Sequence, residues 1–356
     1  MNRRLVLFGV LVWIFVGVPV SIFLIKPPKP IIEIKGEPLI EIADLGNEML
    51  NISITNTLLT AWIATALLII IALLATRRIA MVPSGFYNFF EAIIEAIYNF
   101  VTGVAGEKNG RRFFPLIATL FIYVAFANWL SLTPVFNTFG KFVPLHAEES
   151  AFHEDALVFD DKAGLSVIWF GADFVELEAE DCAAGHEGDA CREHAIEVAT
   201  EEHAGEDQQL GVLFPYLRGI NTDLMTPLSF ALVSVLLIQW WGITSLGAFR
   251  YASKFINFSS PINFFVGFLE LVAEFAKIIS FSFRLFGNML AGEILLLVMT
   301  FLVAIASPIL VVFYGLELFV GAIQAFVFGA LTLVFAMSAV SHHGPEEHEE
   351  GGSAHH

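Results

Sequence analysis

Charge is scarce in this sequence: only 15% of its 356 residues are Asp, Glu, Lys or Arg. Basic residues are scarcer than acidic ones, 18 against 36, and form no basic patch, which excludes nucleic-acid binding. Histidine is missing from every long apolar run, so an imidazole relay inside such a run is excluded. No G-x-x-x-x-G-K-[ST] loop occurs, so the chain lacks that means of holding a nucleotide phosphate. What it has instead is apolar surface: 56% hydrophobic residues, 36 of them Phe, and a mean hydropathy of +0.72. A soluble core cannot hide that much, so the composition points to a polytopic membrane protein, and the helix-length apolar runs below make it all-α. The formal charge of −18 has a local origin, because residues 147–207 hold 19 of the 36 acids against only Lys162 and Arg192. The acidity belongs to one soluble insertion.

Met1-Asn2-Arg3-Arg4 precedes an apolar run over residues 5–25, which reads as a retained signal-anchor or a cleaved signal peptide. Either reading puts residues 26–55 outside the cytoplasm, with Pro27, Pro28 and Pro30 at the exit. Further runs at 56–75, 113–132 and 224–249 each approach the roughly 20 residues that a crossing requires. Arg77-Arg78, the cluster Lys108 to Arg112, and Arg250 with Lys254 flank these runs. The positive-inside rule places all three clusters in the cytoplasm and residues 133–223 outside it. Asn221, Thr222 and Asp223 read as an N-cap cluster for the third run. Between the first two, Phe86, Phe89, Phe90, Ile93, Ile94, Ile97 and Phe100 recur at helical spacing. They predict an amphipathic helix on the cytoplasmic interface, or a partly buried soluble helix.

Proline is absent from residues 262–307 and again from 309–344. A helix of forty-odd residues spans about 60 Å, twice the hydrocarbon thickness. Each stretch is therefore two crossings with a tight turn or one long, steeply tilted helix. These stretches carry Glu270, Glu274, Lys277, Arg284, Glu293 and Glu317, with Ser280, Ser282, Asn288 and Gln324. An ionised group at the bilayer centre costs about 2.5–3.5 kcal/mol on insertion scales, which makes an ion path the default hypothesis. Glu274 and Lys277, at i and i+3, can neutralise each other. Arg284 has no acid at i±3 or i±4, and Glu293 falls on the opposite face. Its permanent charge calls for a carboxylate from another helix, with Glu317 as one candidate, or from another subunit. Gly287, Ala291 and Gly292 permit close approach of a neighbour.

Residues 270–293, ELVAEFAKIISFSFRLFGNMLAGE, closely resemble the signature segment of the a subunit of F-type ATP synthases. FFPLIATLFIYVAFANWLSLTP at 113–134, NTDLMTPLSFAL at 221–232 and IQAFVFGALTLVFAMS at 323–338 extend the resemblance over roughly 56–140 and 212–343. The resemblance implies the membrane stator of a rotary motor, with two proton half-channels and an essential arginine, Arg284, facing the carboxylates of a c-subunit ring. It implies a long tilted C-terminal helix pair wrapping that ring. Asn288, Glu293, Glu317 and Gln324 match the extracytoplasmic half-channel, with Asp223 at its outer mouth. Glu270, Lys277 and Ser280 match positions near the cytoplasmic half-channel. The implied partners are the c ring, a b-subunit peripheral stalk contacted through the 86–100 region, protons, the lipid bilayer and, indirectly, a catalytic head. The chain makes no covalent bond itself, and no cofactor is expected. The rival readings are an ion-coupled secondary transporter with an intramembrane charge network, and a structural membrane protein whose charges merely pair helices.

The fold expected is a membrane bundle of about five to six helices with a small extracytoplasmic insertion. Its divisions are 1–55, 56–144, the insertion 145–210, the ring-facing region 211–341, and a disordered His/Glu-rich tail at 342–356. The insertion departs from the family, whose corresponding loop is short. Residues 156–159 and 165–170 could pair as a β-hairpin. Cys182 and Cys191 are read as a disulfide, as zinc ligands with His186 and His194, or as two thiols. A bacterial plasma membrane is the expected location.

Overall fold

In the computed structural model the described residues are 38–43, 52–76, 86–133, 136, 139–144, 155–160, 166–167, 174–176, 208–255, 260–303 and 308–340. The first apolar run, both cysteines with His186 and His194, and the 342–356 tail lie outside them. The order is β1 (Pro38–Ala43), β2 (Ile52–Thr55), α1 (Asn56–Thr76), α2 (Phe86–Ser131), β3 (Phe139–Pro144), β4 (Asp155–Asp160), β5 (Ser166–Val167), β6 (Phe174–Glu176) and β7 (Gln208–Pro215). A 3-10 turn (Ile220–Thr222) leads to α3 (Met225–Leu246), α4 (Ala248–Phe255), α5 (Pro261–Val303) and α6 (Pro308–Val340).

The helix boundaries follow local chemistry. Thr55 Oγ1 accepts from Leu58 N at 3.3 Å and caps α1. Ser260 precedes α5, its hydroxyl accepting from Ile262 N at 3.4 Å, and Pro261 occupies the first position, where its missing N–H costs nothing. Pro308 opens α6 in the same way. The expected N-cap cluster divides. Asn221 and Thr222 close the 3-10 turn, and only Asp223 binds a first-turn amide, Met225 N at 3.1 Å. The run expected to reach residue 249 ends earlier, at Leu246, because Gly247 adopts φ +85° and releases the short α4.

Gly106 interrupts α2 with φ 72° and ψ 163°, a conformation that only glycine adopts without strain. The two arms fold back on each other there: a Cβ built on Gly110 would lie 2.9 Å from the backbone Cα of Thr102. The expected amphipathic helix is thus the first arm of a helical hairpin. Its Ile97, Val101 and Ala105 are buried with Phe113 and Ile117 of the second arm, Trp241 of α3, and Leu333 and Ala336 of α6. Phe89 and Ile94, nearer the start of this arm, stay exposed. A second cluster, Leu120, Val124, Ala231, Phe281, Leu285, Met289, Ala325 and Phe328, binds α2, α3, α5 and α6 at mid-height.

Among the described residues four helices are long and apolar enough to cross a membrane: α1, α2, α3 and α6. In α1 the start is buried at Asn56, Thr57, Thr60 and Ala64, while Ile69, Ile70, Leu73 and Leu74 are exposed, as lipid-facing side chains would be. α5 runs 43 residues unbroken, about 65 Å, and α6 runs 33, about 50 Å. Neither contains the tight turn that two crossings require. The chain therefore takes the long-helix alternative.

The strands form a two-stranded sheet, β1 with β2, and a five-stranded sheet of order β5-β3-β7-β4-β6, with every pairing antiparallel. The expected hairpin between 156–159 and 165–170 is corrected by this order. β4 pairs with β7 and β6, whereas β5 pairs with β3. Alternation in sequence located strand-forming segments but not their long-range partners. Pro215 O, at the end of β7, accepts from Asn56 Nδ2 at 3.2 Å and ties the sheet to α1.

Gly110→Ala should force the α2 arms apart and cost about 1–3 kcal/mol, lowering the thermal midpoint of the detergent-solubilised protein. Gly103→Ala, where a Cβ meets nothing within 4 Å, is the control and should leave the midpoint unchanged or raised.

Candidate functional site

α5 and α6 run antiparallel in contact, and their polar residues meet in register. Lys277 of α5 lies over the Phe335 ring of α6, 4.8 Å from its centroid. About three turns further along α5, Asn288 Nδ2 donates to Gln324 Oε1 at 2.7 Å. One turn beyond, Gly292 makes room for Glu317, since a Cβ on Gly292 would fall on the Glu317 carboxylate. Glu317 is 4% exposed and Gln324 3%, and among the described residues Glu317 Oε1 and Gln324 Nε2 have no hydrogen-bond partner. Glu293 is half-buried. α6 carries Glu317 and Gln324 seven residues apart on one side, and Gly321 between them faces α2.

Arg284 stands apart from this seam. It is exposed, beside exposed Phe283, Gly287 and Asn288, while Leu285 next to it is fully buried. Its Nη2 lies 3.5 Å from Ser280 Oγ, the outer limit of a hydrogen bond. Among the described residues no carboxylate pairs with it. Glu317, the intrachain candidate, sits instead against Gly292. Asn288, one turn from Arg284, is turned to Gln324.

The end of the bundle nearest the sheet holds a second polar group. Thr57 Oγ1 donates to Asp223 Oδ2 at 3.0 Å, and Asp223 is buried between α1 and α3. Asn221 Nδ2 donates to Asn128 Oδ1 at 2.6 Å, and Asn128 Nδ2 donates to Gly321 O of α6 at 3.3 Å. Trp129 Nε1 donates to Leu318 O at 3.0 Å. Asn128 and Trp129 were not singled out from sequence. An asparagine inside the apolar run 113–132 was the available signal, because an amide in a membrane helix needs a partner on another helix.

At the opposite, Gly106 end, Arg112 donates to Ser245 Oγ at 2.8 Å and also to Thr244 near the close of α3. Glu274 and Lys277 do pair, Nζ to Oε1 at 2.6 Å. Gln239 Nε2 donates to the other Glu274 oxygen at 2.7 Å, and the Tyr251 hydroxyl donates to Gln239 Oε1. Tyr251 reaches this position because α3 has Gly242 where its ring crosses; a Cβ there would stand 2.4 Å from a ring carbon. Burial, reinforced by the negative charges of Glu274 and Glu270, pushes the Tyr251 phenol up to about 12, so it keeps the proton it donates. Glu270 and Ser280 lie at this end of α5, half-buried and exposed respectively. No group of three or more His, Cys, Asp or Glu able to hold a metal occurs among the described residues.

These features define a multi-pass membrane protein in which one long helix carries an exposed arginine and a polar seam to its neighbour. The sequence matches the family described as ATP synthase A chain over residues 58–337. Proteins similar to it include "ATP synthase subunit a" of Helicobacter pylori strains Shi470, G27 and ATCC 700392 / 26695. Each is 26% identical over 285 residues, covering 78% of this chain and 86% of the relative. The chain belongs to the ATP synthase A chain family, as a non-catalytic membrane subunit of the F-type complex.

A spectrophotometric titration that subtracts Tyr251→Phe from the wild type should show a phenol ionising at about 12, well above the ordinary value of about 10. A midpoint near 10 would contradict the buried, hydrogen-bonded placement.

Proposed function

We propose that this stator subunit couples proton flow to rotation of a c-subunit ring through Arg284, at the junction of two aqueous half-channels that do not meet. The observation that carries this reading is the exposure of Arg284 on the 43-residue α5 without a carboxylate from the described residues of its own chain. A guanidinium cannot shed its proton, so its counter-charge comes from outside. A carboxylate on each ring subunit supplies it. The ring carboxylate stays ionised while it faces Arg284 and enters lipid only when protonated. Each proton moved across the membrane delivers about 2.3 kcal/mol per 100 mV.

On this reading the extracytoplasmic path runs along Asp223, Glu293, Glu317, Gln324 and Asn288. Buried Glu317 Oε1, Gln324 Nε2 and Asn221 Oδ1, which lack protein partners among the described residues, support a hydrated route there. Asn128 and Asn221 extend the route toward the sheet. Glu270 and Ser280 serve the cytoplasmic side, with Lys277 at its flank. Arg112 at the Gly106 end supports the positive-inside assignment of that end to the cytoplasm, and so of the sheet to the outside of a bacterial plasma membrane. The start of α2, where Phe89 and Ile94 are exposed, is where a b-subunit peripheral stalk would contact the chain, and the catalytic head acts through these partners.

In inverted vesicles bearing the intact complex, Arg284→Ala should abolish ATP-driven acidification while proton leak after head removal is retained or raised. Arg284→Lys should fail as well, because an ammonium does not reproduce the planar donor array. Normal pumping by either variant would favour a structural charge. Gly287 offers a separate check, since a Cβ there meets nothing within 4 Å of its own chain. Gly287→Leu should leave the subunit folded and membrane-inserted, yet reduce pumping by crowding the ring. Undiminished pumping would remove that face from the ring contact.

A further inference from the structure

Glu274 is not among the residues assigned to the path, yet it is a buried carboxylate partnered by both a cation and an amide. It is 8% exposed, and both of its oxygens are occupied. Oε1 holds the Lys277 ammonium at 2.6 Å and Oε2 holds Gln239 Nε2 at 2.7 Å. Gln239 is fixed in turn by the Tyr251 hydroxyl, and Tyr251 by the notch at Gly242. The chain of contacts thus runs from α4 through α3 to α5. Lys277, at its end, rests over Phe335 of α6. A carboxylate that accepts from an ammonium on one oxygen and from an amide N–H on the other is held by two charge-assisted hydrogen bonds, which suits it to fixing the ammonium in place.

Lys277 and Arg284 are seven residues apart, so they lie on nearly the same side of α5 and about 10 Å apart along its axis. A loose ammonium at Lys277 would be a second cation within reach of whatever carboxylate Arg284 attracts. The geometry points to Glu274 as a positioning residue, held by Gln239 and Tyr251, that clamps and neutralises Lys277 so that Arg284 alone presents net positive charge to the ring. This deepens the proposed reading and rests on it. The clamp sets a specificity of position: the ring carboxylate is held at one level of α5 and not at two.

The test uses the intact complex in inverted vesicles. Glu274→Gln keeps the size and one acceptor but removes the charge. ATP-driven pumping should fall about tenfold, the size expected of one uncompensated charge about 10 Å from a carboxylate. Adding Lys277→Gln to that variant should recover much of the loss, because the freed cation is gone. A purely structural cluster predicts the opposite, since the double variant loses another buried partner. Full pumping by Glu274→Gln, or a double variant no better than the single one, overturns the clamp. Tyr251→Phe, which keeps the ring in its notch, should give a smaller loss that Lys277→Gln also relieves; an unrelieved loss counts against the proposal. Arg284→Ala measured in parallel separates the two ideas. Its normal pumping would overturn the site reading itself, whereas its failure beside a fully active Glu274→Gln would overturn only the clamp.

Discussion

A guanidinium in a membrane helix keeps its charge whatever surrounds it, and the low dielectric of hydrocarbon makes that charge costly until something compensates it. Arg284 is left exposed by the way the rest of α5 is packed. α5 buries Leu285 and Met289 against α2, α3 and α6 and leaves the arginine on the outward side. Asn288 is turned inward to Gln324, so it does not cover the guanidinium. The small residues Gly287 and Ala291 follow on the open face, and Gly292 faces inward to admit Glu317. The same helix presents on one side a cation with no carboxylate partner among the described residues, and on the other a polar seam.

That division depends on the bundle holding α5 and α6 in one register. Aromatic contacts at Phe281 with Phe328 and Phe335 set the spacing midway, with ring centroids 5.1 and 5.6 Å apart. Polar contacts between helices add to this: Asn288 to Gln324 joins α5 to α6, Asn128 to Gly321 joins α2 to α6, and Gln239 to Glu274 joins α3 to α5. In a low-dielectric interior each such hydrogen bond has a costly alternative, an unpaired polar group, and this discourages sliding of one helix along the other.

Much of this was legible from residue order. The apolar runs, their flanking basic clusters, and the charged residues inside the C-terminal stretches gave the membrane class and the candidate residues. The segment RLFGNMLAGE gave the family that the comparisons then showed. The Glu274–Lys277 pair followed from i, i+3 spacing. Less was legible where a partner is distant in sequence. Gln239 and Tyr251 gained importance only because α3 and α4 pack on α5, and no local pattern marks either residue. The strands of the insertion were found as segments and mispaired, since β4 joins β7, nearly fifty residues away, rather than its neighbour β5.

By itself the sequence determined the solvent this protein lives in, the ends of its helices at Ser260-Pro261 and Pro308, and the impossibility of neutralising Arg284 from its own helix. Composition, capping and i±4 spacing are local properties and need no fold to be read. The tertiary structure decided which side of α5 faces outward. It also decided that the long stretches are single helices, that Gly106 turns a helix into a hairpin, and that Glu317 sits against Gly292 instead of pairing with the arginine. Those outcomes depend on which side chains can occupy the same space. That is fixed only when every helix is packed against its neighbours.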